Sequence, residues 1–321
     1  MQYRKLEGID QKLSVLIYGT PWTACRKDMR DEAYCSYDHA WEAGFRAFDT
    51  ANSYGDGEET LGAWLHSRGI RGEAVIIDKG CNPGQNGSTD MMSAETIRSQ
   101  VEKSLLRLQT DHVDFYLLHR DDPKVPVDEI IDVLNEKQRE GKIRRFGVSN
   151  WSLRRVLAAE EYARKHQLTP FTAFSPAYSL AEYLHDPWGG SISISGEKNK
   201  AYRDWLENTQ FPVFCYSSLG RGYLSGKFRT DGDEPIEKCL PRGPIMEYDG
   251  PVNRERLRRA ESLAKEKGTT VPKICLAWLL RQPQQIFPLV APTSEAHIRD
   301  TAGVFETELT DGECRFLIGL E

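Results

Sequence analysis

The sequence predicts a (β/α)₈ barrel, and three observations carry that expectation. Eight short apolar runs recur along the chain, longer helix-patterned stretches lie between most of them, and polar residues of chemical interest fall where several runs end. The runs cover residues 14–18, 45–48, 74–78, 113–118, 143–148, 171–174, 212–215 and 286–290. Helical patterning covers 31–43, 58–66, 93–108, 127–139, 152–166, 253–267 and 271–281. Ser93 ahead of Thr96 and Ser152 ahead of an Arg/Leu-rich run read as helix starts, and Thr270-Val271-Pro272 places a proline in a first turn. Gly141, following Lys137 and Arg139, reads as a helix stop. No repeat of 20 to 50 residues and no low-complexity tract interrupts this rhythm.

A chain of 321 residues with 39% hydrophobic content can bury a full core. One barrel of this class runs to about 250 residues or more, so a single domain over residues 1–321 is expected. The charge is spread, 42 basic against 48 acidic residues for a net −6, with no basic block of the kind that nucleic acid or an anionic membrane selects. A small molecule is the expected partner, and the oligomeric state is left open. The seven cysteines are scattered without a Cys-x-x-Cys pair, which suits a reducing cytoplasm and gives no metal site. The amino terminus lacks an apolar core, and no stretch approaches the roughly 20 apolar residues of a membrane span. Secretion and membrane insertion are therefore not expected.

Two connections exceed ordinary turns, residues 178–198 and 220–252. The first holds Asp186-Pro187-Trp188-Gly189-Gly190; the second holds Arg221-Gly222 and the four prolines Pro235, Pro241, Pro244 and Pro251. Long loops following strands carry function more often than they merely decorate a surface. Both are expected over the carboxyl-end face of the barrel.

That face is also where barrel enzymes build their sites. Asp49 directly follows the second run, Lys79 the third and His119 the fourth, while Tyr54 follows Asp49 by five positions. A phenol with a pKa near 10 is a poor acid at neutral pH unless a cation stabilises its ionised form. Lys79 supplies a cation, and a buried ammonium in turn needs an anion, for which Asp49 is placed. His119 can hold a substrate oxygen against the phenol. Singly each residue has a plain structural explanation: a helix cap, a loop aromatic, a solvated lysine, a histidine paired with Asp121. Their joint placement on one face favours a site that delivers a proton to a carbonyl.

The segments around these residues resemble the aldo-keto reductase family. Gly44-Phe45-Arg46-Ala47-Phe48-Asp49-Thr50-Ala51-Asn52-Ser53-Tyr54-Gly55, with Glu58-Glu59-Thr60-Leu61-Gly62, is similar to its signature around Asp and Tyr. Asp114-Phe115-Tyr116-Leu117-Leu118-His119-Arg120 resembles the stretch carrying its His, residues 141–151 a third block, and residues 215–222 a fourth. The blocks span nearly the whole chain in order, which is far more specific than a single glycine motif. The resemblance implies NAD(P)H-dependent reduction of an aldehyde or ketone. In it Tyr54 is the general acid, Lys79 tunes it, Asp49 pairs with Lys79, and His119 orients the carbonyl. It further implies a nicotinamide amide held at Ser149 and Asn150 and a ring stacked on Tyr216. Gly19, Thr20, Asp49, Ser217, Leu219 and Arg221 join them as cofactor contacts. No Gly-x-Gly-x-x-Gly follows the first run, so a Rossmann site is not supported.

Two positions depart from the family pattern. Ser175 stands where a Gln usually reaches the amide, and the last βα loop offers Thr293, Ser294 and His297 in place of a Lys or Arg for a 2′-phosphate. Charge-assisted contacts are the strong ones for phosphate, so the choice between NADPH and NADH stays open, with Arg221 and Lys227 as substitutes. Trp22, Trp151 and Trp188 are candidate pocket walls, suited to the face of an aromatic or a sugar ring. Two other readings compete: a Schiff-base lyase or isomerase acting through Lys79, and a non-catalytic regulatory subunit that keeps a cofactor pocket.

Overall fold

Each of the eight runs contributes a barrel strand in the computed structural model, which describes residues 1–82 and 92–320. The strands are β3 (Ile17–Gly19), β4 (Ala47–Asp49), β5 (Val75–Gly80), β6 (Val113–Leu118), β7 (Ile143–Ser149), β8 (Phe174–Ser175), β9 (Val213–Cys215) and β10 (Ile286–Val290). They form a closed parallel barrel in the order β10-β3-β4-β5-β6-β7-β8-β9. Ahead of it, β1 (Tyr3–Arg4) and β2 (Leu13–Ser14) pair antiparallel. The expected first strand is thus split. The Ser14 hydroxyl donates to the Leu16 carbonyl and accepts from the Arg46 and Ala47 amides, which turns the chain out of one ladder and into the other.

The helices are α1 (Arg30–Glu42), α2 (Gly57–Arg68), α3 (Ala94–Leu108), α4 (Val127–Arg139), α5 (Leu153–Lys165), α6 (Lys200–Thr209), α7 (Ile236–Cys239), α8 (Arg242–Tyr248), α9 (Pro251–Lys267), α10 (Val271–Leu280), α11 (Glu295–Ala302) and α12 (Asp311–Ile318). Ser93 and Ser152 cap α3 and α5 by accepting the Thr96 and Arg155 amides. Gly141 ends α4 with φ at 75°, a conformation that costs glycine little. Five helices went unread in the sequence. Of these, α7 and α8 lie inside the stretch expected to be a loop, each with a proline, Pro235 or Pro241, at its N-cap. The prolines there start helices as well as punctuate the loop. The fifth, α12, opens with a Thr310/Glu313 capping box, a sequence signal that was available.

The described residues form two compact units. The first comprises Gln2–Ser175 with Ala291–Glu295, the second Pro176–Val290 with Ala296–Glu321 and Met1. In the first, every residue of β5 and β6 is buried, as parallel strands covered on both faces require. Tyr37, Phe48 and Trp64 pack together beside them with ring centroids 5.0 to 5.9 Å apart. In the second, β9 and β10 pair from Ile286 opposite Val213 to Pro288 opposite Cys215. Among the described residues no helix is long and apolar enough to cross a membrane.

Helices α2 and α3 meet at Gly62. A Cβ there would lie 2.3 Å from the Leu108 carbonyl oxygen, inside contact distance of backbone that cannot swing away. Helix propensity alone favours Gly62→Ala by about 1 kcal/mol, whereas overpacking costs about 1 to 3 kcal/mol. Gly62→Ala is therefore expected to lower the urea midpoint; a raised midpoint would show that the helices do not approach this closely.

Candidate active site

All four residues singled out in the sequence converge within the first unit. Asp49 ends β4, Lys79 lies near the end of β5, and His119 follows β6 directly. Pairing β4 with β5 sets Asp49 opposite Ile77, two residues before Lys79. The Lys79 ammonium donates to Asp49 Oδ2 and, at 3.0 Å, to the Thr50 carbonyl. Both charges are almost wholly buried, at 2% and 4% exposure, so neither has water to fall back on. Backbone bonds hold the frame: the Asn52 amide donates to the Lys79 carbonyl at 2.8 Å, and the Tyr54 amide to the Ala51 carbonyl at 3.0 Å.

The turn at 51–57 brings Tyr54 over this pair, with Lys79 Nζ 5.3 Å from its ring centroid. The imidazole of His119 meets the phenol edge-on at 5.7 Å. Ser53 Oγ lies 3.4 Å from His119 Nδ1, a neighbour the sequence reading passed over although it precedes Tyr54.

Electrostatics assign protonation states. Burial pulls Lys79 down, but Asp49 and Tyr54 outweigh it and hold the ammonium above its ordinary value. Burial raises Asp49, and Lys79 opposes the rise. We read the two as an ion pair, because the ammonium keeps two acceptors. Tyr54 departs from the expectation that Lys79 would make its phenol more acidic. Burial raises it, and the attraction of Lys79 offsets only part of that. In the free protein the phenol therefore keeps its proton. Burial first, then Lys79 and Arg120, hold His119 well below the usual imidazole range, so its ring is neutral.

Ser149 ends β7 and Asn150 follows it. Ser149 Oγ donates to the Ser175 carbonyl at 2.7 Å, while Asn150, in the left-handed region at φ 61°, donates through Nδ2 to the His119 carbonyl at 3.1 Å and to Ser149 Oγ at 2.9 Å. Ser175 Oγ is buried without a hydrogen-bond partner among the described residues. An orphaned hydroxyl beside that pair suits a carboxamide. Gly19 ends β3, and Thr20 Oγ1 donates to the Asp49 carbonyl at 2.7 Å, tying this turn to the ion pair. Thr293 and Ser294 are exposed just before α11, and the Thr293 carbonyl accepts from Ser36. Trp22 is 59% exposed. Trp151, expected as a pocket wall, instead exposes no surface. Its indole donates to the Arg120 carbonyl at 3.1 Å and packs edge-on against Phe171, so it braces the loop after His119 from beneath.

The remaining candidates belong to the second unit. Tyr216 follows β9, donates its amide to the Pro176 carbonyl at 3.0 Å, and has Trp188 6.0 Å away. Ser217 and Arg221 adopt left-handed backbone at φ 53°, and Leu219 lies between them. Arg221 pairs with Glu247 of α8, a partner the sequence reading missed. His297 is exposed on α11.

A model of the Aldo/keto reductase family matches residues 16–317. The chain belongs to the aldo/keto reductase family. It is 29% identical to the uncharacterized oxidoreductase YrpG of Bacillus subtilis (strain 168), over 99% of this chain and 95% of that one. It is 28% identical to aldo-keto reductase yakc [NADP(+)] of Schizosaccharomyces pombe, over 85% and 77% of the two chains. The structure of glycerol dehydrogenase AKR11B4 from Gluconobacter oxydans superposes with a TM-score of 0.78 at 26% identity, covering 98% of this chain and 93% of that one. This aldo-keto reductase is thus an oxidoreductase that works with NADPH or NADH.

The neutral His119 has a measurable consequence. Its folded value lies below that of the unfolded chain, about 6.5, so the unfolded state takes up a proton that the folded state refuses. The associated stability is present above about pH 6.5 and is lost as pH falls below it. His119→Gln is expected to shrink the fall in urea midpoint between pH 7.5 and pH 5.5; parallel falls in the two proteins would contradict a neutral, half-buried ring.

Proposed function

We propose that this enzyme reduces an aldehyde or ketone to an alcohol, with Tyr54 as the proton donor. The observation that carries the reading is the Lys79–Asp49 ion pair beneath the Tyr54 ring, with neutral His119 beside it. The bound cofactor supplies the hydride. Everything else falls to the chain's own groups. As the carbonyl oxygen gains negative charge, the Tyr54 phenol gives up its proton and the Lys79 ammonium stabilises the phenolate left behind. Asp49 keeps Lys79 charged and oriented. His119, neutral, donates a hydrogen bond to the same oxygen without competing as an acid. That role needs the ring proton on Nε2, which leaves Nδ1 to accept from Ser53 Oγ, 3.4 Å away.

For the cofactor, Ser149, Asn150 and Ser175 are proposed at the carboxamide and Tyr216 under the ring. Gly19, Thr20, Ser217, Leu219 and Arg221 are proposed along the phosphates, and Thr293, Ser294 and His297 at the adenosine end. That last group carries no lysine or arginine, which favours NADH or an even preference. Trp22 and Trp188, each at least half exposed, are proposed to meet an aromatic or sugar-like substrate. A cytoplasmic setting suits the seven free cysteines. The Schiff-base alternative fares worse, because an amine held as an ammonium by a buried carboxylate is a poor nucleophile.

Tyr54→Phe is expected to lower kcat by about 10² to 10⁴ while NADPH and NADH still quench the intrinsic tryptophan fluorescence. Near-normal turnover would rule out Tyr54 as the acid. Borohydride treatment with substrate is expected to leave Lys79 unmodified; a reduced adduct on Lys79 would revive the lyase reading.

A further inference from the structure

The two long loops of the second unit meet at a three-part contact centred on Arg221. Its guanidinium pairs with the Glu247 carboxylate of α8 and lies 4.8 Å over the Trp188 ring, which in turn sits 6.0 Å from the Tyr216 ring. Its neighbours lie at ordinary contact distance. A Cβ on Gly243 would come within 3.4 Å of Glu247 Oε1 and 3.5 Å of Arg221 Nη1, and the Leu184 amide donates to the Glu247 carbonyl at 2.8 Å. Asp186 orders the loop tip, accepting the Trp188 amide at 3.1 Å and the Ser191 amide at 2.8 Å. Arg221 itself stands between Gly220 and Gly222, all three with positive φ.

Glu247 is the unusual member. It is 6% exposed, and its Oε2 has no hydrogen-bond partner among the described residues. The charged and titratable groups near its carboxylate are Arg221, Asp186 and Tyr248, of which only Arg221 is a cation. Burial already raises Glu247, and Arg221 is the group that opposes the rise. Were Arg221 drawn to another anion, Glu247 would be a nearly buried carboxylate with an aspartate for company. Such a group neutralises itself by taking a proton rather than paying the full desolvation cost.

We propose that Arg221 exchanges Glu247 for a phosphoryl group of the dinucleotide, and that the Glu247 carboxylate takes up a solvent proton as it is released. Glu247 is then an internal competitor that sets cofactor affinity and makes it stronger at lower pH. The exchange balances: one Arg–carboxylate pair is lost, one Arg–phosphate pair forms, and one proton passes from solvent to Glu247. This rests on the reading that the dinucleotide lies against Tyr216 and Arg221.

Calorimetric titration with NADPH and with NADH at pH 7, in two buffers of different ionisation enthalpy, tests it. Wild-type enzyme is expected to take up protons on binding. Glu247→Gln, which keeps the shape and a hydrogen bond to Arg221 but not the charge, is expected to bind roughly tenfold tighter, the equivalent of about 1.4 kcal/mol, with no proton uptake. Far-ultraviolet circular dichroism of the variant checks its fold, and Arg221→Gln, expected to weaken binding and abolish uptake, gives a second reading if Glu247→Gln does not fold. Binding by wild type without proton uptake, or uptake that persists in Glu247→Gln or Arg221→Gln, overturns the exchange and leaves the cofactor reading standing. Failure of wild type to bind either dinucleotide overturns both.

Discussion

A lysine and an aspartate with almost no access to water face each other across two neighbouring strands, and the first unit is arranged around keeping them paired. Burying two charges costs several kcal/mol per ion before their attraction is counted, and removing one partner leaves the other uncompensated, at a cost of about 3 to 5 kcal/mol. The pair therefore demands accurate register between β4 and β5, further acceptors for the ammonium, and a closed backbone around it. The Thr50 carbonyl supplies a second acceptor, and the Asn52 amide anchors the Lys79 backbone from the segment that goes on to carry Tyr54. Ionic pairing, turn and phenol thus form one construction. A change to any of them is felt by the others.

That construction also explains why the phenol is kept neutral. Burial near the ion pair makes ionisation of Tyr54 harder in the resting protein, while the Lys79 ammonium opposes part of that rise. A group that keeps its proton is the form an acid must start from, so the raised Tyr54 is compatible with the role proposed for it. Neutral His119 fits the same logic, since an imidazolium beside Lys79 and Arg120 would add a third positive charge to a poorly solvated place. In the second unit Arg221 and Glu247 form a less complete pair, with Glu247 nearly buried and one of its carboxylate oxygens without a hydrogen-bond partner among the described residues.

Much of this was legible in the sequence, for identifiable reasons. Parallel barrel strands are short and apolar on both faces, so runs such as 113–118 and 286–290 stand out and their bounds coincide with β6 and β10. Serine caps at 93 and 152 act on amides three residues away, which makes them readable from local spacing. The split of the first strand was not readable, because it depends on Ser14 bonding to Arg46 and Ala47, more than 30 residues distant. Trp151 misled for a similar reason. Its position after a strand predicts a loop aromatic, but its indole finds the Arg120 carbonyl and a place against Phe171 in the core.

By itself the sequence determined the barrel, the positions of its eight strands, and the four polar residues that the fold brings together. These follow from periodicity, from turn chemistry and from what strand ends can carry. Protonation states and partners were decided by the tertiary structure: a raised rather than lowered Tyr54, a neutral His119, an orphaned Ser175 hydroxyl, and Glu247 as the hidden partner of Arg221. The physical reason is that local patterning is set by near neighbours along the chain. A pKa or a hydrogen bond is set by burial and by charges brought close only when distant segments fold together.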